Sequence, residues 1–328
     1  GKTALKLKAY KTKRKSIMSQ DELHVIFGTG ALGKWTAREL IKLGKQVRFI
    51  SHSGKADPRL PEGVEVVQGD AYDTKHNIEV TKDAAAVYQC AQPLYHEWAE
   101  KFPPMQKAIL DAVSANGAKF IVADNLYMYG DTNGQPIRED MPYQAHTKKG
   151  KVRGEMATAV MEAHRAGKVR AAIGRASNFF GPDDNAVTAY AIRPALEGKS
   201  VNLLGRTDQP HTFSYVADFG KLLATLGTRE EALGQIWFTP SPAPVTQIEL
   251  VRIMEEELGH KVKFMAAGKM MMSVLGLFIP AMRESVEMLY EWDKPFIMDS
   301  SKAQKVFGLQ PTSLKDAMRS TIEWCRQL

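Results

Sequence analysis

The stretch Gly28-Thr29-Gly30-Ala31-Leu32-Gly33 stands between a short apolar run, HVIF at 24–27, and an amphipathic one that starts at Leu32. Between a strand and a helix, three glycines at this spacing have separate tasks. The first allows a tight turn, the second lets a pyrophosphate approach the backbone, and the third lets helix and strand pack closely. The anion would lie on the helix N-terminus, where unsatisfied N–H groups and the helix dipole favour negative charge. About twenty residues past such glycines, a site for NAD(H) carries Asp or Glu to hold the ribose 2′-hydroxyl. Here the segment reads Ser51-His52-Ser53-Gly54-Lys55. Two hydroxyls, an imidazole and an ammonium suit a 2′-phosphate, so the expected cofactor is NADP(H), with NAD(H) as the alternative. The competing reading of His52 and Lys55 is a solvated loop.

A second stretch, PYQAHTKKGKVRGEM at 142–156, holds Lys148, Lys149, Lys151 and Arg153 within six positions and then turns helical in pattern. Such a run is either a solvated basic face or the setting of one functional lysine.

The elements that must position these residues follow from periodicity. HVIF (24–27), QVRFI (46–50), VEVV (64–67), AAVYQC (85–90), KFIVAD (119–124) and VRAAIGRA (169–176) read as buried strands. Helical patterns lie between them at 32–43, at 105–115 with Pro103 and Pro104 at its start, and at 152–166. Strand and helix in alternation predict an α/β fold: a Rossmann-type doubly wound parallel sheet. The alternation weakens after Arg175, where NFFGPDDN interrupts it. Beyond lie a strand and helix within 212–227, a strand at 235–239 and a helix at 247–259. The expected organisation is a dinucleotide-binding domain at 18–176 with 208–240 contributing, and a smaller C-terminal substrate lobe from 177–207 and 241–328.

Of the 44 basic residues, seven (Lys2, Lys6, Lys8, Lys11, Lys13, Arg14 and Lys15) fall in the first 17 positions, and the remaining 37 balance the 37 acidic ones. The net charge of +7 therefore belongs to a basic leader or extension at 1–17, ahead of a natural-looking start at Met18. A cleaved targeting remnant and a basic arm are the other readings of it. With a neutral body, no nucleic-acid partner is expected. Cys90 and Cys325 are far apart and have no metal-ligand spacing, so neither a metal site nor a disulfide framework is expected, and a reducing cytoplasmic setting fits. The most apolar stretch, Met270 to Met282, is too short to span a bilayer. The same region, from Phe264 to Trp292, reads either as an adaptable apolar pocket wall or as helices packed in the lobe's own core.

From about residue 22 to its end the chain resembles the extended branch of the short-chain dehydrogenase/reductase superfamily, which includes NAD(P)-dependent epimerases and dehydratases. The likeness rests on Gly69-Asp70-Ala71, Cys90-Ala91-Gln92, Asn125 to Gly130 (NLYMYG), Arg175 to Pro182 (RASNFFGP) and Tyr215-Val216-Ala217-Asp218, in that order. It implies that Asp70 and Ala71 contact adenine and that Cys90, Ala91 and Gln92 wall the nicotinamide ribose. The family's Tyr-x-x-x-Lys pair, followed four residues later by Glu, places its lysine at Lys151 beside Glu155 and its tyrosine at Thr147. Its catalytic serine falls at Asn125. Lys151 would then bind the ribose, leaving Lys148, Lys149 and Arg153 as a solvated face. A threonine hydroxyl is far too weak an acid to replace a phenol. Asn125 can still polarise a substrate oxygen, and Tyr127 is the first choice as proton donor, with His146, Tyr143 or ordered water next. Asn178, His211 and His146 are expected to face the substrate. His211 replaces the arginine that clamps a diphosphate in nucleotide-sugar enzymes of the family.

Together these readings predict an NADP(H)-dependent oxidoreductase acting on a carbonyl or conjugated carbonyl of a small, apolar or aromatic substrate. The alternatives are a non-catalytic NADP(H)-binding sensor or partner-binding module and a nucleotide-sugar epimerase or dehydratase. The resemblance also implies a homodimer through the helices near 105–115 and 152–166.

Overall fold

The computed structural model describes residues 22–268, 272–274 and 286–328. The leader 1–17 and most of the 270–282 stretch therefore lie outside the described residues. Seven strands form one parallel sheet: β1 (Leu23–Phe27), β2 (Gln46–Ser51), β3 (Glu65–Gln68), β4 (Ala84–Gln89), β5 (Lys119–Asp124), β6 (Arg170–Arg175) and β10 (Ile236–Phe238). Their order is β3-β2-β1-β4-β5-β6-β10. The register runs regularly from Val25 opposite Arg48 to Phe27 opposite Ile50, and Phe120 stands opposite Ala171.

Helices cover both faces. Side chains alternate along β1: Val25 and Phe27 join a core with Ile109, Phe120 and Val160, and Ile26 joins one with Phe49, Ile121 and Leu222. Both faces are dry, which is why the strands read as continuous apolar runs. Helices α1 (Ala31–Lys42) and α6 (Val216–Thr228) pack on one face. Gly220 lets them touch, since a Cβ there would lie 2.6 Å from the Trp35 backbone. Helices α2 (Thr74–Val80), α3 (Trp98–Asn116) and α4 (Lys148–Arg165) accompany the other face.

Helix α3 starts seven residues earlier than its sequence pattern indicates, so Pro103 and Pro104 lie inside it. Two helical N–H groups are lost there. Trp98, Phe102 and Met105 are all buried on that turn, with Trp98 edge-on to Phe102 at 5.3 Å, and this packing holds the helix through the break.

Most of the remaining elements gather around a separate apolar core, the lobe. Strand β7 (Phe179–Phe180) pairs with β9 (Ser214–Tyr215), and β8 (Val201–Leu204) with β11 (Phe264–Ala267). Around them lie α5 (Arg193–Leu196), α7 (Gln247–Leu258), α8 (Tyr290–Asp293) and α10 (Leu314–Arg326), while α9 (Ser301–Phe307) packs on the sheet, where Ala303 and Phe307 join the core of Ile26 and Leu222. A buried ion cluster ties the lobe to α1: Lys34 Nζ lies 3.2 Å from Asp183 and 2.9 Å from Asp57, and Arg38 also reaches Asp183. Among the described residues no helix is long and apolar enough to cross a membrane, and no cluster of His, Cys, Asp and Glu could hold a metal ion.

Candidate active site

The order of strands reverses between β1 and β4, and ligands of open α/β sheets bind beyond the carboxyl ends at such a switch point. The glycine turn after β1 and the Cys90-Ala91-Gln92 segment after β4 meet there. Gly28 has φ +107°, and a Cβ on it would sit 2.7 Å from the Ala91 nitrogen. A Cβ on Gly33 would be 2.1 Å from the Gly28 carbonyl oxygen. On Gly30, by contrast, it would meet nothing within 4 Å. Gly30 is the N-cap of α1, with no side-chain cap and no acid in the first turn, so an open cradle of N–H groups faces outward. Thr29, Ala31 and Leu32 complete the turn. These residues fit a dinucleotide pyrophosphate.

At the end of β2, Ser51 Oγ accepts the Gly54 N–H at 3.1 Å and Ser53 Oγ the Lys55 N–H at 3.3 Å. Each hydroxyl keeps its own proton to donate. His52 and Lys55 are exposed, and the Lys55 ammonium has no ion pair among the described residues. Lys34, Arg38 and Arg59 are engaged by Asp57 and Asp183. Past β3, Asp70 accepts the Tyr72 N–H at 3.0 Å, and the Ala71 carbonyl accepts from Asn77 at 2.9 Å. Burial pushes the Cys90 thiol up to about 12, which removes it as a nucleophile at neutral pH.

The lysine run is rearranged relative to its sequence reading. Lys149 and Arg153, expected on a solvated face, are each 3% exposed. Lys149 Nζ lies 3.7 Å from Glu287 and 4.5 Å from the centre of the Tyr95 ring. Arg153 donates to Asp124 at 2.8 Å and lies 4.3 Å from the Phe102 ring centre. Helical geometry gives the reason, because 149, 150, 153, 154, 156, 157 and 160 form one buried stripe and 151 falls off it. Lys151 is exposed, and its ammonium makes no hydrogen bond or ion pair among the described residues. Thr147 is the N-cap of α4, its hydroxyl accepting the Gly150 N–H at 3.0 Å. The Glu287 carboxylate, from the lobe, accepts the N–H groups of Lys148 (2.8 Å) and Lys149 (3.2 Å).

The first donor candidates have settled surroundings. Asn125 Oδ1 accepts the Tyr127 N–H at 3.1 Å, which orients the amide and leaves its NH2 group for a ligand. The Tyr127 ring lies 6.0 Å from Trp98. Burial first, then the neighbouring Tyr95 and Glu291, push its phenol well above the ordinary value. A lysine-paired phenol would shift the other way. Tyr143 accepts from Arg175 at 2.6 Å, in a buried network where Arg175 also donates to Asp124 at 3.0 Å and Tyr129 at 2.6 Å. His146 is exposed, edge-on to Tyr290 at 4.9 Å.

Across the cleft, His211 is buried between aromatic rings, parallel to Trp292 within 5° at 4.2 Å and with Phe296 at 5.2 Å. Its Nδ1 lies 3.1 Å from the Glu291 carbonyl oxygen and its Nε2 2.9 Å from Asn178. Burial pulls the imidazole down to about 3, so it is neutral. Glu291, which the sequence reading missed, is 2% exposed. Burial pushes its carboxyl up to about 8. Among the described residues its Oε1 and the Tyr290 hydroxyl have no hydrogen-bond partner, and neither do buried polar atoms of Gln89, Ser177 and Thr239, just past or at the ends of β4, β6 and β10. Nothing in the sequence singled out Glu291 beyond its place between two aromatic residues.

Solved structures with this architecture include an epimerase from Methanothermobacter thermautotrophicus (17% identical, covering 94% of this chain and 93% of that one, TM-score 0.78). UDP-glucuronic acid 4-epimerase from Bacillus cereus, in complex with UDP-glucuronic acid and NAD, is 18% identical over 93% of this chain and 99% of that one, TM-score 0.74. UDP-glucose 4-epimerase from Thermus thermophilus, in complex with NAD, is 16% identical over 93% and 99%, TM-score 0.76. At these identities the likeness establishes the fold. None of the curated proteins matches the chain in sequence. The model of the NAD dependent epimerase/dehydratase family matches residues 25–237. That match spans more than half of the chain and contains the glycine turn, the segments that follow β2 to β6 and His211, and the chain belongs to the NAD dependent epimerase/dehydratase family.

Proposed function

We propose that the protein is an NADP(H)-dependent oxidoreductase that reduces, or forms, a carbonyl or conjugated carbonyl on a small, largely apolar substrate. The observation that carries the cofactor choice is the end of β2: the strand closes on Ser51 rather than a carboxylate, with Ser53, His52 and Lys55 beside it. Bound there, the dinucleotide would supply hydride chemistry. The turn 28–33 would hold its pyrophosphate, Ser51, Ser53 and Lys55 its 2′-phosphate, Asp70 and Ala71 its adenine, and Cys90 to Gln92 with Lys151 its nicotinamide ribose. Asn125 would donate to the substrate oxygen. Thr147 stands where the family's tyrosine is expected and serves as a helix cap instead.

A nucleotide-sugar reaction, the activity named for the structural neighbours, is less well supported. The diphosphate would need a cation near His211, and that imidazole is neutral, buried and pinned by Glu291 and Asn178.

Ser51→Asp should reverse cofactor preference. A carboxylate facing a 2′-phosphate costs several kcal/mol, so NADPH should bind at least ~tenfold more weakly while NADH gains a ribose partner. Calorimetric titration with both dinucleotides checks this, and unaltered NADPH affinity would remove the 2′-phosphate from this loop. Lys151→Met should weaken NADPH binding by about tenfold, since a hydrogen bond from a charged group contributes about 1.5–3 kcal/mol. The same affinity in wild type and variant would leave Lys151 as surface charge.

A further inference from the structure

If the family's tyrosine is replaced by a helix cap, the proton that follows the hydride needs another source. We propose that Glu291, carried by the lobe into the cleft between Tyr127 and Asn178, is the proton donor to the substrate oxygen. The proposal rests on the oxidoreductase reading above.

Hydrogen-bond bookkeeping around a neutral His211 supports it. The Glu291 carbonyl oxygen can only accept, so Nδ1 of His211 must carry the proton. A neutral imidazole then has a lone pair at Nε2, and Asn178 must present its NH2 group to it at 2.9 Å. Amide oxygen and nitrogen are assigned from such networks rather than seen. The Asn178 oxygen is thereby left facing the Glu291 carboxyl, and two acceptors cannot bond. With His211 neutral, the chain closes when Glu291 carries a proton. Burial acts in the same direction, raising the carboxyl to about 8.

The position suits delivery. Helix α8 lies over the carboxyl edge of the sheet, because Glu287, four residues before Glu291, accepts from the N-terminus of α4. Glu291 also lies close enough to Tyr127, just past β5, to raise that phenol. Its Oε1 is buried without a partner among the described residues. The titratable groups around it are Tyr290 on its own helix, Tyr127 past β5 with Tyr95 behind it, and neutral His211. No cation pairs with it among the described residues. In the reduction, the carbonyl carbon accepts hydride and its electron pair from NADPH. The carbon–oxygen π pair moves onto oxygen, which takes the Glu291 proton. The resulting carboxylate regains a proton from solvent.

The test uses the full chain and its Glu291→Gln variant, whose amide can donate to Asn178 in the carboxyl's place. Without any substrate, the melting temperature of each is followed with pH. A carboxyl at about 8 in the folded state and 4.5 when unfolded keeps its proton only in the folded chain across that window, so stability falls as pH rises through it and levels off above about 8. Wild type should therefore lose melting temperature relative to the variant between pH 5 and 8, roughly the interval between those two values. Parallel curves would overturn the proposal. With NADPH and a panel led by 4-nitrobenzaldehyde, the variant should lose about 100-fold or more in kcat, the usual contribution of a general acid, with NADPH affinity unchanged. Wild-type kcat should fall above about pH 8, where the carboxyl ionises. Equal kcat in the two proteins would refute Glu291 alone. No turnover by wild type across aldehydes, ketones and enones would refute the oxidoreductase reading, and the donor role with it.

Discussion

Gly33→Ala should abolish dinucleotide binding and lower the melting temperature. The added Cβ would lie 2.1 Å from the Gly28 carbonyl oxygen and 3.2 Å from its carbonyl carbon. These are backbone atoms of the phosphate turn, so no rotamer change relieves the contact. Either α1 moves away from β1 or the turn is pushed out of shape. The first would open the α1–α6 contact, where Ala37 and Leu40 are fully buried with Leu222 and Leu223. The second would move Gly28, already held at φ +107° against Ala91. Overpacking costs about 1–3 kcal/mol in an ordinary core and more where backbone must shift. Affinity for NADPH should drop at least ~100-fold, because ~3 kcal/mol of distortion falls on the groups proposed to hold the pyrophosphate. Calorimetric titration and thermal melting check this together. A folded variant with wild-type affinity would show that the pyrophosphate does not use this turn. Gly30→Ala makes the control: its Cβ clashes with nothing in the protein, so melting should hold while binding falls.

Much of this arrangement could be read in the sequence, for a physical reason. A parallel sheet with both faces covered gives continuous apolar runs, and KFIVAD at 119–124 coincides with its strand. The glycine turn is equally legible, since the places of Gly28 and Gly33 follow from backbone contacts that no other residue tolerates. The start of α3 was not. Two prolines mark a helix start under local rules, whereas here the burial of Trp98 and Phe102 carries the helix through them.

Side-chain direction on α4 was harder still. Four cations in six positions look alike in a sequence, and the choice among them turns on about 100° of rotation per residue. Lys149 and Arg153 fall on the buried stripe because Glu287 and Asp124 wait there, and those partners lie 138 and 29 residues away. Glu291 was invisible for the same reason. What marks it is the loss of solvent and the company of Asn178 and His211, and both come from the lobe closing over the sheet edge.

The buried charges beneath the site make the second large prediction. Asp124 accepts from both Arg153 and Arg175, and the side chains of the three are 2%, 3% and 0% exposed. The Arg175 guanidinium pays for burial chiefly through Asp124, which holds its pKa above the ordinary value against desolvation. Asp124→Ala would leave two guanidinium groups in a dry core with two phenol oxygens, the Ala123 carbonyl and the Met156 sulfur to meet them. Breaking a buried pair by removing one partner costs about 3–5 kcal/mol, and here one carboxylate serves two cations. In a protein of this size about 1 kcal/mol moves the melting temperature by roughly 2–4 °C, so a fall of about 10 °C or more is expected. Function should suffer beyond stability, because Asp124 Oδ1 also accepts the Asn125 N–H at 2.9 Å and so sets the residue proposed to polarise the substrate. Arg153→Met should cost less than Asp124→Ala, since it leaves Asp124 paired with Arg175. Thermal melting of the two variants decides the matter: equal or smaller loss in Asp124→Ala would mean that the arginines find water or other acceptors, and that the network does not hold the site.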